Sequence, residues 1–206
     1  MTHFEAIQII ARHLTNEIVI SNVGNTNRKL YSVKKHRLTL YGVQMSLVTP
    51  LAFGLAKGIP SRKVIALDGD GSLLMGLGIL ATVATNPADN LLIIVLDNGC
   101  YAACGWYPTA SGKGTDLAGI ASSAGIEEVR TVENPDGLAA ALAEYLKKKR
   151  LALIRAKVES GPLREAFEPL PFDTLDGTYR FRQALVEEGL VEEWHDVTPV
   201  HYTFSK

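Results

Sequence analysis

An α/β fold, built as a doubly wound parallel sheet with helices on both faces, follows from three features of this 206-residue chain. Its strand-like runs, Val64–Leu67 and Leu91–Leu96 foremost, are apolar throughout instead of alternating, as a sheet covered on both faces requires. Helix-length segments separate those runs, as parallel crossovers demand. A composition of 47% hydrophobic and 21% charged residues belongs to a chain able to build one core, and it excludes disorder.

In chain order, Phe4, Ile7, Ile10 and Ala11 recur at helical spacing and predict a helix over residues 4–14. Ile18-Val19-Ile20 is a short β-branched strand, ended by Asn22, Gly24 and Asn25. Leu47–Ala56 reads as an apolar helix, in which Pro50 is tolerable only near the first turn. Val64–Leu67 is the next strand and runs into Asp68-Gly69-Asp70-Gly71-Ser72. A helix is predicted from Leu73 to Thr85, stopped by Asn86-Pro87. Leu91–Leu96 is the most apolar strand, closed by Asp97-Asn98-Gly99. Cys100–Gly114 is polar and glycine-containing and predicts a loop. Beyond it come a helix over Asp116–Ala124, a strand over Val129–Val132, a helix over Asp136–Lys148 and a last buried strand over Ala152–Val158.

Residues 1–160 are thus expected to form the sheet domain. Residues 161–206 differ: an amphipathic helix is predicted over Thr178–Leu185, and the aromatic tail Trp194–Phe204 reads as an interface arm. Whether this segment belongs to the same domain or extends from it stays open.

Charge and cysteine content exclude several functions. Twenty-one basic against 22 acidic residues give a net charge of −1, which leaves no basic excess for nucleic-acid or anionic-membrane binding. Cys100 and Cys104 cannot make a disulfide framework, and no second Cys or His pair supports a zinc site. The start of the chain lacks the pattern of a signal peptide, and the apolar stretch Leu73–Ala84 is interrupted by Gly76 and Gly78 and too short to span a bilayer. A cytoplasmic protein is expected.

In an open parallel sheet, ligands bind beyond the carboxyl ends of the strands. Two such ends carry unusual chemistry here. Gly69-Asp70-Gly71-Ser72 combines close backbone approach, N–H groups at a helix start and a hard carboxylate oxygen. Asp97-Asn98-Gly99-Cys100 offers a second side-chain oxygen from Asn98 and a turn that can present a backbone carbonyl. Twenty-six residues lie between Gly71 and Asn98, enough for one helix and one returning parallel strand, so a βαβ unit brings Asp70 and Asn98 to one rim. Two side-chain oxygens, a carbonyl, two phosphate oxygens and a water complete an octahedral Mg²⁺ site.

That arrangement resembles the thiamine-diphosphate motif, a GDG followed after such an interval by Asn. The strings LDGDGSLLMGLGILATVA and LDNGCYAACG, then PTA and DLAGIASSAGI, are similar to the sulfopyruvate decarboxylase β-subunit family and the related phosphonopyruvate decarboxylases. Asn22-Val23-Gly24 and Arg28-Lys29-Leu30-Tyr31 match that family's first loop, and the resemblance spans roughly residues 4–185. It implies the thiamine-diphosphate-binding fold of the PP type, with Asp70, Asn98 and the Cys100 carbonyl as Mg²⁺ ligands and Gly69, Gly71 and Ser72 around the diphosphate. Met45 falls where these enzymes place the apolar residue that props the cofactor; the competing reading, which we favour less, is ordinary core. The Val43 carbonyl would accept from the 4′-amino group.

The chain departs from the family at Gln44-Met45-Ser46-Leu47-Val48-Thr49-Pro50, usually Ser-Met-Gly-Leu-Ala-Ser-Pro, and at Trp106-Tyr107-Pro108-Thr109, usually Gly-Gln-Pro-Thr. The larger side chains of the second stretch would reshape the pocket over the thiazolium; the cofactor reading survives both changes, and the substrate reading gains nothing from them.

The family's activity is non-oxidative cleavage of a 2-oxo acid to an aldehyde and CO₂, and it needs a glutamate from a pyrimidine-binding domain. A chain of this length has no room for that domain, so the resemblance implies a partner α-type subunit that supplies the glutamate, in a hetero-oligomer such as α2β2. An anionic substrate calls for a cation: Arg28 is the first candidate and Lys113, in Ser111–Gly114, the second; either could be a solvated surface charge. Gly112-Lys113-Gly114-Thr115 lacks the earlier glycine and preceding strand of a phosphate loop, and the five histidines show no i, i+4 pair. Asp68 and Asp97 flank the ligands as supporting residues. Competing functions are an acyloin-forming carboligase subunit, with the same cofactor motifs, and a degenerate non-catalytic subunit, against which intact Asp70 and Asn98 argue. A dinucleotide-binding protein would need G-x-G-x-x-G after the first strand, where Gly24 stands alone.

Overall fold

A computed structural model describes residues 1–160, 167 and 169–192. Helix α1 (His3–His13) opens with a reciprocal cap, in which Thr2 Oγ1 accepts from the Glu5 N–H and the Glu5 carboxylate accepts from the Thr2 N–H. Strand β1 (Ile18–Asn22), helix α2 (Asn25–Val33) and strand β2 (Thr39–Val43) follow. Helix α3 (Val48–Gly58) places Pro50 in its first turn, where the missing N–H costs nothing. Strand β3 (Val64–Gly69) leads directly into the short helix α4 (Asp70–Met75), then α5 (Ile79–Thr85) and strand β4 (Leu91–Asp97). The hairpin β5 (Cys100–Tyr101) and β6 (Tyr107–Pro108), helix α6 (Leu117–Ser123), strand β7 (Glu128–Val132), helix α7 (Pro135–Tyr145), strand β8 (Ala152–Lys157) and helix α8 (Thr174–Glu187) complete the described chain.

Six strands form one sheet in the order β2-β1-β3-β4-β8-β7, every pair parallel. Alternate side chains of each strand feed two cores. Ile18, Ile20, Val64, Ala66, Leu91, Ile93 and Val95 pack with α3, α5, α6 and α8 on one face. Val19, Ile65, Leu67, Leu92, Ile94 and Ile154 pack with α1, α2 and α7 on the other. The apolar runs thus cover both faces of the sheet, as doubly wound architecture requires.

Three local expectations are corrected. The helix expected over Leu73–Thr85 is two helices, because the chain turns at Gly76, where a Cβ would lie 2.9 Å from the Ser46 carbonyl oxygen. Helix α2 and strand β2 had no counterpart in the sequence pattern. Gly24, with φ 88°, gives α2 no side-chain cap, and Gly42, with φ 76°, interrupts the β-branched signal of β2. Cys100–Gly114 holds a two-stranded hairpin and two 3₁₀ turns instead of unstructured loop. The tail Trp194–Phe204 lies outside the described residues. Among the described residues, no helix is long and apolar enough to cross a membrane.

Candidate active site

The chain order β1, β2, β3 sends β2 to one side of β1 and β3 to the other, so the β1–β3 boundary is the topological switch point of the sheet. A cleft of about 250 Å³ opens there, lined by Asn22–Thr26 and Lys29 after β1, Gly69–Ser72 after β3, and Asn98 and Cys100 after β4. Parallel register explains the convergence: Gly69 pairs with Leu96, so Asp70 and Asn98 leave adjacent strands at nearly the same level.

Asp70 is buried, 2% exposed, and its Oδ2 accepts from Thr109 Oγ1 at 2.6 Å and from Ser111 Oγ at 2.8 Å. Both bonds fall on one oxygen, which keeps Oδ1 out of them. Burial raises the Asp70 pKa against the opposing pull of those hydroxyls, and the charge of Asp97 raises it further. Ser111 links the two carboxylates, since its Oγ also lies 2.9 Å from Asp97 Oδ1. Asp97 Oδ2 in turn accepts from Arg155 Nε at 2.7 Å and Lys157 Nζ at 3.3 Å. Burial alone would raise the Asp97 pKa, but the Arg155 and Ser111 bonds and the Lys157 charge outweigh it and hold it low. Arg155 also reaches Asp116 Oδ1 at 2.8 Å, tying the network to the start of α6.

The backbone of the second loop is held by contact as well as by hydrogen bonds. Asp97 Oδ1 accepts from the Gly99 N–H and Asn98 Oδ1 from the Cys100 N–H, at 3.1 and 3.3 Å. Ser160 Oγ donates to the Asn98 carbonyl. Gly112 rests against Gly99 so closely that a Cβ on it would fall 2.1 Å from the Gly99 carbonyl oxygen. Gly112→Ala is therefore expected to destabilise the fold by about 1–3 kcal/mol, as overpacking against rigid backbone does. Urea titration checks this, and an unchanged midpoint would show that the loop yields freely.

At the end of β3, Thr49 Oγ1 and the Gly69 N–H both donate to the buried Asp68, each at 2.9 Å. Ser46 sits in the left-handed region at φ 71° and donates its N–H to Ser72 Oγ at 3.1 Å. That bond pins the half-buried Met45 beside α4, in the cleft wall.

The structure thus gathers Met45, Gly69, Asp70, Gly71, Ser72, Asn98 and Cys100 around one cleft. Val43 does not line it, and its carbonyl accepts from the Val23 N–H at 2.9 Å. Arg28 and Lys113 are both exposed and do not line it either. Sequence reasoning missed Thr109 and Ser111 as partners of Asp70, and it missed Lys29 and His3 in the wall behind β1.

Burial, followed by the neighbouring Lys29 charge, lowers the His3 pKa to about 3. Between that value and the ordinary 6.5 the unfolded chain binds the proton and the folded chain does not. Stability is therefore complete above pH 6.5 and falls as pH drops through that window, by about 2 kcal/mol at pH 5 from this group. Thermal melts from pH 7 to 5 should show the decline, and His3→Gln should flatten it; parallel slopes for the two proteins would contradict the assignment.

The residues fit a divalent cation and a diphosphate. Asp70, Asn98 and the Cys100 carbonyl are hard oxygen donors, and the buried Asn22 Oδ1 in the wall has no hydrogen-bond partner. Among the described residues, no cluster of three His, Cys, Asp or Glu side chains could hold a metal unaided, so a cation here must take amide, carbonyl and phosphate oxygens too.

Residues 22–156 match the family model for the thiamine pyrophosphate enzyme, C-terminal TPP-binding domain. The chain is 32% identical to the sulfopyruvate decarboxylase β subunit of Methanocaldococcus jannaschii, over 87% of this chain and 96% of that one. It is 38% identical to the β subunit from Methanothermobacter thermautotrophicus, over 65% and 72% of the two chains. The sulfopyruvate decarboxylase of Methanosarcina acetivorans is 32% identical over 90% of this chain, which spans about half of that protein's length, 47%. In fold, the chain is similar to benzoylformate decarboxylase from Polynucleobacter necessarius, with a TM-score of 0.66 at 17% identity over 82% of this chain and 34% of that one.

Proposed function

Since the chain belongs to the thiamine pyrophosphate enzymes, as a β-type subunit of the sulfopyruvate decarboxylase group, we propose that it carries the Mg²⁺ and diphosphate half of a two-chain 2-oxo acid decarboxylase. The observation that supports this most is the setting of Asp70: a buried carboxylate at the switch point, held through one oxygen by Thr109 and Ser111 and set beside Asn98.

In this reading Asp70 Oδ1, Asn98 Oδ1 and the Cys100 carbonyl hold the cation, and Gly69, Gly71 and Ser72 surround the diphosphate. Gly71 must lack a side chain, because a Cβ there would lie 2.4 Å from the Tyr101 ring. Met45 props the cofactor from the α3 side. Bound thiamine diphosphate supplies the electron sink through which a 2-oxo acid can lose CO₂. This chain fixes the cation, orients the cofactor and, with Trp106 and the β5–β6 hairpin, narrows the access of water to the cleft.

The activating glutamate comes from an α-type partner. The apolar residues Leu47, Leu51, Met75 and Tyr107, exposed by 39–71%, stand on and around the elements that frame the cleft and suit burial by that chain. The relatives from Methanocaldococcus and Methanothermobacter are named as β subunits, which supports a second, α-type polypeptide here. A dimer of such pairs, in the cytoplasm, is the simplest assembly; Cys100 and Cys104, both free thiols, suit a reducing compartment.

The test is CO₂ release by the chain mixed with a pyrimidine-domain partner, offered sulfopyruvate, phosphonopyruvate and pyruvate. Release of CO₂ with a matching aldehyde supports the proposal. An acyloin product would move the reading to carboligation, and no turnover with any 2-oxo acid would overturn it.

A further inference from the structure

The amino ends of the strands carry a second cavity, at the pole of the sheet opposite the cleft. It holds about 490 Å³ and lies between the end of α3, the residues leading into β3 and β4, and the end of α7. Strand β3 separates the two sites: Lys63 precedes it and Asp70 follows it, roughly 20 Å apart at the rise of a strand.

Six of the chain's 21 basic residues, Lys57, Arg62, Lys63, Lys147, Lys148 and Lys149, line this cavity. Among the described residues, Asp89 is the one acidic residue that does. Two of the six are paired with carboxylates that do not line it. Arg62 meets Glu188 at 3.5 Å, and Lys148 meets Glu128 at 3.2 Å and Glu144 at 2.6 Å. Lys57 and Lys63 donate instead to carbonyls, of Pro87 at 3.4 Å and of Lys148 at 2.8 Å, which bring no full opposite charge. Lys147 and Lys149 are exposed. Burial lowers the Lys63 pKa to about 8 even though the Asp89 charge raises it, so that one acid does not compensate the buried ammonium.

Crowded ammonium groups repel one another, and an anion among them relieves the repulsion. In a chain of net charge −1, such a pole is not a by-product of overall basicity. A single small anion can meet one or two of these groups. A chain of linked phosphates can meet lysines from α3, from the start of β3 and from the end of α7 at once. Lysine suits phosphate as a mobile point charge. Pro60, Pro87 and Leu146 add an apolar surface to the same cavity, against which a nucleoside can rest.

We propose that this cavity binds a di- or triphosphate group, free or carried by a nucleoside, at a site separate from the catalytic cleft. The site needs neither the metal nor the cofactor and is independent of the decarboxylase reading.

The experiment titrates the full chain by calorimetry with inorganic triphosphate, ATP and sulfate, in EDTA, which keeps the cation-dependent cleft out of the measurement. Both triphosphates should bind with sub-millimolar affinity, and sulfate should bind at least about 10-fold more weakly. Lys147→Ser combined with Lys149→Ser should weaken triphosphate binding roughly 5- to 30-fold, as loss of two exposed ion pairs does. Lys35→Ser combined with Lys113→Ser removes the same charge from exposed positions elsewhere and should leave the affinity within about twofold. ATP binding more tightly than triphosphate upholds the seat and assigns a nucleoside carrier; equal affinity upholds it for the bare phosphate chain. No binding at millimolar triphosphate overturns the proposal, as does equal weakening by the two double variants or none by the first. Loss of binding in Asp70→Asn would place the anion in the cleft and also overturns it.

If the Lys147 and Lys149 variant does not fold, reductive methylation of the wild type followed by mass spectrometry decides. Triphosphate should protect Lys63 and leave Lys35 labelled, and equal labelling of Lys63 with and without triphosphate refutes the seat.

Discussion

Asp70→Asn should abolish Mg²⁺-dependent binding of thiamine diphosphate while leaving the fold intact. The asparagine oxygen can still accept from Thr109 and Ser111, so the hydroxyl contacts at 2.6 and 2.8 Å survive in the variant. What disappears is the negative charge that a hard divalent cation needs. Loss of a supporting group around a metal costs about 10–100-fold in affinity, so loss of a direct ligand should exceed about 100-fold. Because burial already raises the Asp70 pKa, a neutral isostere should not lower the stability of the unloaded chain. Calorimetry gives the affinity and thermal melting the stability. A variant that melts much earlier would mean that Asp70 is chiefly a structural residue.

Arg155→Met should have the largest effect on stability. Arg155 is 8% exposed and its Nε holds Asp97, itself 1% exposed. Removing one partner of a buried pair leaves the other charge uncompensated and costs about 3–5 kcal/mol. Lys157 stays within 3.3 Å of the same carboxylate oxygen, so a value near 3 kcal/mol is expected here. Adding Asp97→Asn should recover much of the loss, because the buried charge is then gone, and the two effects should be strongly non-additive. Urea unfolding of the two single variants and the double variant measures this. Additive losses would show that the pair does not act as a unit. The same substitution should weaken cofactor binding, since Asp97 steadies the Ser111 that holds Asp70.

The meeting of Asp70 and Asn98 at one cleft was legible because spacing alone carried it. A strand, a GDG turn, a helix-and-strand interval and Asp-Asn-Gly bring Asp70 and Asn98 to one rim wherever the two strands are parallel neighbours, and β3 and β4 are. The sheet itself was legible in Leu91–Leu96 and Val64–Leu67, because runs apolar on both faces leave few alternatives.

The supporting hydroxyls were not legible. Thr109 and Ser111 sit in an irregular segment with no period, and only the packing of Gly112 on Gly99 brings them to Asp70. Arg155 reads as a polar interruption of an apolar strand; its partner emerges only from the pairing of β8 with β4, where Val95 faces Arg155 and Asp97 faces Lys157. Lys29 was hidden by the same kind of gap. Successive residues on a helix point about 100° apart. Deciding between Arg28 and Lys29 therefore requires knowing that α2 exists and where it starts. Gly24 gives that start no side-chain cap to announce it.

The central claim is that this chain holds Mg²⁺ and thiamine diphosphate in a site completed by a second polypeptide. It is tested most directly by titrating thiamine diphosphate into the chain, alone and mixed with a pyrimidine-domain partner, with and without Mg²⁺. The predicted result is binding that requires Mg²⁺, vanishes in Asp70→Asn and tightens when the partner is present. Binding indifferent to Mg²⁺ and to Asp70, or none in either sample, would contradict the account.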